Sequence, residues 1–265
     1  MRAAFALLAL AFPGTALWAG DQGRPQAPSY SPASIVNAAS NVAGPLAPNT
    51  IATIYGAGLA YTTRAVTAEE VRDGMLPTIL RGTGVRVLIS GIPAPIYFVS
   101  PAQINLVIPA NLVPGEARLE VFLDGVRGPE VPILLGAASP GLFQLDRETV
   151  IATRADFSLI TREAPARPGD IVVLFAAGLG QTVPRQASGE APRAAAFIER
   201  MADLRVLLDG APVDSGDVFY AGVAPGFPGL YQVNLRLPAN LAPNPEIRLA
   251  LGDAVSPPSL RLPVR

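Results

Sequence analysis

The chain has 265 residues, room for one large domain or two small ones. Only 15% of them are charged and 50% are hydrophobic, with a formal net charge of −1, so core material is ample and no field gathers nucleic acid. The sequence holds no Cys, no His and, read along its length, no Lys. That excludes thiol and imidazole nucleophiles, Ser-His-Asp triads, Schiff bases, and zinc, haem or iron–sulfur sites built on Cys or His, and no cofactor is expected.

At the N-terminus Arg2 precedes an apolar run over 3–12, then Pro13-Gly14 and small residues leading to Ala19. This is the pattern of a secretory signal peptide over 1–19, cut after Ala19 or, as the alternative, Ala16. The run is shorter than the about 20 residues of a spanning helix, so no membrane span is expected after cleavage. The mature protein is expected to be secreted or periplasmic, beginning with a flexible segment over 20–33. An exported chain without Cys has no disulfides, so each domain must be large enough to stand on its own core, roughly 100 residues.

The rest of the chain reads as two copies of one unit, 34–141 and 142–265. APNTIATIYGAGLA (47–60) aligns with ARPGDIVVLFAAGLG (166–180), VRVLISGIP (85–93) with LRVLLDGAP (204–212), QINLVIPANL (103–112) with QVNLRLPANL (232–241), and ARLEVFLDG (117–125) with EIRLALGD (246–253). The pairs keep one order, and their spacing changes only between blocks, as loop insertions in a duplicated domain require. In the lead-in to each copy, Val36-Asn37-Ala38 is aligned with Ile151-Ala152-Thr153, and 142–170 reads as a hairpin entering the second copy.

Within the blocks the hydrophobic period is two. Val85, Val87 and Ile89 alternate with Arg86, Leu88 and Ser90, and Leu204, Val206 and Leu208 repeat the pattern. Ser90-Gly91, Asp124-Gly125 and Asp209-Gly210 stand where two-residue hairpin turns need positive φ. Short strands at this spacing predict an all-β chain of antiparallel β-sandwiches. Two excursions from a shared loop, 67–75 and 192–202, read as short helices.

RPGDIVVLFAAGLGQT (167–182), LRVLLDGAPV (204–213), FYAGVAPGFPGLYQVNLRLPANL (219–241), VSPPSLRLPV (255–264), SIVNAASN (34–41), the 76–109 stretch and SPGLF (139–143) carry a resemblance. Each copy resembles an IPT/TIG-type, E-set-like immunoglobulin (Ig)-like domain. The chain as a whole resembles the Solibacter uncharacterised C-terminal domain family of exported bacterial proteins. The resemblance implies secretion and tandem Ig-like sandwiches; it brings no catalytic motif.

Four groups of side chains are candidates. Gln103 and Asn105, with Gln232 and Asn234, sit at i, i+2 on one strand face, either as ligand-binding amides or as structural amides satisfying crossing loop backbone; their retention in both copies while the loops differ favours the structural role. Tyr220, Phe227 and Tyr231 mark the loop that distinguishes the second copy, an aromatic turn placed where sandwiches carry binding surfaces, or a plug for its own core. Asp209, Asp214 and Asp217 are weak calcium candidates whose spacing matches no known loop. Glu69, Glu70 and Asp73, and Glu190 with Glu199, are the remaining acidic groupings, read as solvated charges. The expectation is a non-enzymatic protein working by surface contact with another envelope or extracellular protein, through adhesion, envelope or matrix assembly, or docking. The alternatives are a polysaccharide-binding module and, more remotely, a carboxylate-dependent hydrolase.

Overall fold

The computed structural model describes residues 27–265. The expected signal peptide, 1–19, lies outside the described residues. Among the described residues every pair of strands is antiparallel, apart from isolated parallel bridges such as Leu46 to Leu135, and the helical content is four single turns of 3-10 helix, at Pro32–Ser34, Ala68–Glu70, Met201–Asp203 and Ser215–Asp217. The chain is all-β, folded as tandem Ig-like sandwiches, each a large sheet packed on a small one.

In the first repeat the large sheet has six strands, in the order Val42–Ala43, Ile35–Asn37, Ile51–Tyr55, Gln103–Val107, Ile96–Ser100, Arg64–Ala65. Its small sheet runs Val126–Arg127, Gly115–Leu123, Val85–Ile89, Ile92–Pro93, with Val131–Leu135 also on Gly115–Leu123. In the second repeat the large sheet runs Gly141–Leu142, Ile171–Ala177, Tyr231–Arg236, Val218–Val223, Ala196–Ile198, Thr182–Val183, with Ala152–Arg154 also on Ile171–Ala177. Its small sheet runs Ala211–Pro212, Leu204–Leu208, Ile247–Leu251, Ala254–Val255.

The registers coincide between repeats. Thr53 faces Asn105 as Val173 faces Asn234, and Ile51 faces Val107 as Ile171 faces Arg236. Val85 faces Leu123 as Leu204 faces Leu251. Even a β-bulge recurs, between Ile96 and Phe98 in one copy and between Val218 and Tyr220 in the other. The two-residue turns Ser90-Gly91, Asp124-Gly125 and Asp209-Gly210 have positive φ at both positions, which matches the twist of the strands they join.

Three expectations are corrected. The lead-in strands align two residues further along: Val36 faces Thr53 as Thr153 faces Val173, so Val36 corresponds to Thr153 rather than to Ile151. Neither excursion is an α-helix. In 67–75 the 3-10 turn stops before Asp73 and Gly74, both at positive φ. In 192–202, Ala196–Ile198 alternates buried, exposed, buried and pairs with Val218–Val223 as a strand. The third correction concerns 27–33, within the segment expected to be flexible, which is mostly exposed but held by fixed partners. Ser29 bridges to Ala57, and the Tyr30 hydroxyl donates to Pro129 O and accepts the Val121 N–H at 2.7 Å.

The repeats share a core. The cluster filling the first repeat continues into Ile151, Val173, Phe175, Ala224 and Leu230 of the second, whose own interior forms a separate cluster. Turn 224–230 reaches onto the outer face of the first repeat's large sheet. There the Tyr97 hydroxyl donates to Pro228 O at 2.7 Å, and Gly229 seats so closely that an added Cβ would stand 2.8 Å from Asn49 O and 3.1 Å from Ile51 Cγ1. The first excursion and the residues just after it also meet the segment before the second: Leu76 N donates to Gly189 O at 2.9 Å and Ala191 N to Gly74 O at 2.8 Å. A net hydrogen bond contributes about 1 kcal/mol, whereas burying one aliphatic side chain contributes about 1.5–3 kcal/mol. Apolar burial at Ile51, Val107 and Leu230 therefore holds the junction, and the hydrogen bonds set its register.

Calorimetry should show the wild-type chain unfolding in one transition. Gly229→Val places a β-branched residue at φ +72 against Asn49 O, and should cost about 2–4 kcal/mol and split the transition in two. A single transition at an unchanged midpoint in the variant would show that the turn does not couple the repeats.

Candidate functional site

The strand Tyr231–Arg236 alternates strictly. Tyr231, Val233 and Leu235 point into the second repeat's core, which leaves Gln232, Asn234 and Arg236 on the outer face of the large sheet. Cross-strand pairing brings the neighbours of that face into rows. Tyr220 and Val173 flank Asn234, Gly222 and Phe175 flank Gln232, and Ile171 stands opposite Arg236. Phe197 pairs with Gly222 and so extends the face to the next strand.

The aromatic rings of this face fall into two groups. Phe197 meets Tyr220 edge-on, centroids 5.0 Å apart at 61°. Phe219, put outward by the bulge, lies beneath the Arg236 guanidinium at 5.5 Å. The Tyr220 hydroxyl donates to Val223 O at 2.8 Å, which fixes the ring while leaving its body half-buried. Phe197 and Phe219 are 42% and 45% exposed, and Ile171 is 40% exposed, well beyond what a covered sheet face allows. At the Ile171 end the face opens into a cleft of about 820 Å³ lined by Arg154, Glu163, Gly169, Asp170, Ile171 and Arg265.

The amides follow one plan in both copies. Gln103 Nε2 donates to Asn105 Oδ1 at 2.8 Å, and Gln232 Nε2 donates to Asn234 Oδ1 at 2.7 Å. In the first repeat the Thr53 hydroxyl adds a bond to Asn105 Oδ1 at 3.0 Å. The expected partner, crossing loop backbone, is not the one found: the side chains bond along and across the strands. Asn105 is buried, whereas Gln232 and Asn234 stay partly open.

Of the three aromatic candidates only Tyr220 belongs to this face. Tyr231 is fully buried, because it shares the inward parity of Val233 and Leu235, and its hydroxyl donates to Gly180 O. Phe227 is partly buried against the cluster that joins the repeats. Both are corrected from contact residues to packing residues. Phe197, Phe219 and Arg236 were missed; the bulge reverses the parity that would have shown Phe219 outward. The calcium candidates do not gather. Asp209 Oδ1 accepts the Glu246 N–H, Asp214 Oδ1 accepts the Gly216 N–H, each at 2.8 Å, and among the described residues no group of three acidic side chains is placed to hold a metal ion. Among the described residues no helix is long and apolar enough to cross a membrane.

No protein-family model matches the sequence, and neither does any curated protein. Among solved structures, the chain is similar to the plexin A4 extracellular region (13% identity, TM-score 0.28, 90% of this chain and 18% of that one). It is also similar to SGBP-B from a xyloglucan utilization locus of Bacteroides uniformis (11%, 0.26, 90% and 50%). A third is the tandem Ig repeats of Dlar (10%, 0.22, 91% and 95%). The chain thus spans half or less of the first two.

Burial raises five phenols, those of Tyr30, Tyr55, Tyr97, Tyr220 and Tyr231. Those of Tyr97 and Tyr231, both fully enclosed, are pushed well above the usual value near 10, the Asn49 amide offsetting part of the rise at Tyr231. Tyr30 is pushed up to about 12, again by burial, with the Val121 N–H working against it. A phenol whose folded pKa lies above its unfolded value supports the fold fully below about pH 10 and loses that support as pH rises further. The urea midpoint should therefore hold steady from pH 8 to about pH 10 and then fall. Tyr97→Phe should cost about 1 kcal/mol at pH 8 and make the alkaline decline shallower. A wild-type midpoint that stays flat up to pH 11.5 would contradict the assignment.

Proposed function

We propose that this is an exported, non-catalytic pair of Ig-like modules that acts by surface contact, and that the outer face of the second repeat's large sheet is its contact face. One observation carries the reading. The same face in the first repeat is covered by turn 224–230, with Ile51 and Val107 fully buried, while in the second repeat Val173 and Phe175 are covered at the junction but the part carrying Ile171, Phe197 and Phe219 stands open, with Tyr220 half-buried beside them. Exposed aromatic rings gathered on one sheet face are a mark of an interaction site.

The acidic groups support the absence of catalysis in this reading. Glu70 is engaged by the Thr67 and Arg81 N–H groups and by Arg64, Glu190 by the Ala187 N–H, and Glu199 by Arg185. Beside the large cleft, the hydrogen bonds of Ser158 hold the Asp156 carboxyl below its usual range, and Glu163 is lowered by its own backbone N–H and by Thr161. A general acid needs the opposite shift. A second reading, a polysaccharide on the same face, is favoured by one feature: Tyr220 pairs across from Asn234, and ring and amide together suit a sugar's apolar and hydroxyl sides. The partner class, protein or glycan, is the envelope or extracellular one that export implies.

A photocrosslinking residue at position 219 or 197, carried by the exported protein in its native envelope, should give a defined adduct. The same residue at Leu134, an exposed position of the first repeat's small sheet, should give none. Equal labelling at both places, or none at 219 and 197, would remove the face from consideration.

A further inference from the structure

The junction between the repeats shows what one of these faces accepts, and the second repeat presents the same place empty of any neighbour from the described chain. We propose that Ile171, Arg236 and Phe219 form a seat for the apolar Gly-Pro turn of a further Ig-like module, as the equivalent residues of the first repeat seat turn 224–230. This inference rests on the contact-face reading above and names its occupant.

The equivalence follows from register. Ile171 opposite Arg236 corresponds to Ile51 opposite Val107, and Phe219 at the bulge corresponds to Tyr97. Gly229 enters the first repeat's seat beside Asn49 and Ile51; the matching positions, Gly169 and Ile171, line the 820 Å³ cleft. Asn49 and Gly169 share the left-handed backbone, at φ 63 and 85, so the edge of the seat has one shape in both copies. The polar requirement of a turn is also met. In the first repeat the Tyr97 hydroxyl donates to the turn carbonyl of Pro228. Phe219 has no hydroxyl, but the Arg236 guanidinium stands over its ring and brings N–H donors to that place.

The occupant is not a second copy of this chain using its own turn. Turn 224–230 of each copy is already seated on its own first repeat, where tethering holds it at an effective concentration on the order of mM. The corresponding link of the first repeat is only Pro101 and Ala102, between Ile96–Ser100 and Gln103–Val107, too short to reach into a seat. The fitting partner is another module whose loop at the place of 224–230 is long, apolar and rich in Gly and Pro.

The test uses the full chain and a cyclic peptide of sequence Ala-Pro-Gly-Phe-Pro-Gly-Leu, the sequence of 224–230, followed by amide chemical shifts. The expected result is saturable shifts at Gly169, Ile171, Phe219 and Arg236, weakened at least about tenfold by Phe219→Ala and by Arg236→Ala, with thermal midpoints near wild type. Shifts that map instead to Tyr97 and Val107, or that persist unchanged in both variants, would overturn the seat. Xyloglucan or other neutral oligosaccharides shifting Tyr220, Asn234 and Arg236 while the peptide does not would overturn the turn as occupant and leave the contact face standing. Absence of shifts with either probe overturns the seat, and the crosslinking at 219 then decides the contact face separately.

Discussion

The architecture depends on the closeness with which turn 224–230 meets the first repeat. At Gly229 the approach leaves no room for a Cβ, and around it Ile51, Val107 and Leu230 join into one apolar cluster. Two sandwiches of roughly 100 residues each bury a modest core, and a Cys-free chain has no cross-links to add to it. Continuing the first core into Ile151, Val173 and Phe175 enlarges the buried volume without enlarging either module. It also fixes the angle between the repeats, since both the turn and the paired loop segments around Leu76 and Gly189 would have to separate before either module moved. The outer face of the second repeat is thus held on a rigid support.

Duplication gave two sheets with one register, and selection at a few positions then made them different. Val107 is fully buried, whereas Arg236 in its place is exposed; Tyr97 is 5% exposed and Phe219 45%. A guanidinium at position 107 would be trapped beneath the turn with no counter-charge, at a cost of several kcal/mol. The difference between Val and Arg at one register position therefore records which face is covered and which is open. The amides have the opposite history. Gln and Asn are retained in both copies because their mutual bond, at 2.8 and 2.7 Å, satisfies the strand face whether or not anything covers it.

Strands, hairpin turns and the duplication were legible because each rests on a local rule: period two, positive φ at Ser90-Gly91 or Asp209-Gly210, and ordered block spacing. What escaped was non-local. The excursion 192–202 looked helical for want of its partner strand Val218–Val223, whose pairing makes Ala196–Ile198 extended. Tyr231 shares the parity of Val233 and Leu235, which places it inward as the first residue of the strand, although Gly226, Pro228 and Gly229 beside it carry the signature of a loop. Phe219 was hidden by the bulge, and the role of the turn by the fact that its target lies in the other repeat, more than a hundred residues away in the case of Tyr97 and Pro228. The coverage of a face belongs to the assembled pair, and periodicity within one strand carries no trace of it.

An open aromatic face is a hazard for any protein, since it invites indiscriminate association. The position of Arg236 answers this. Its guanidinium over Phe219 contributes about 0.5–1 kcal/mol at an exposed site, covers part of the ring and keeps a solvated charge at the centre of the row. That energy is small beside the burial available to a partner that fills the cleft at Ile171, so the arginine yields to a fitting partner and resists a poor one. Because the charge must remain hydrogen-bonded once covered, a partner that brings no acceptor incurs the desolvation of an unpaired cation. The same side chain thus keeps the free face soluble and sets the condition under which it closes: an apolar surface with an oxygen acceptor at its centre, which is what Pro228 supplies to Tyr97 in the first repeat.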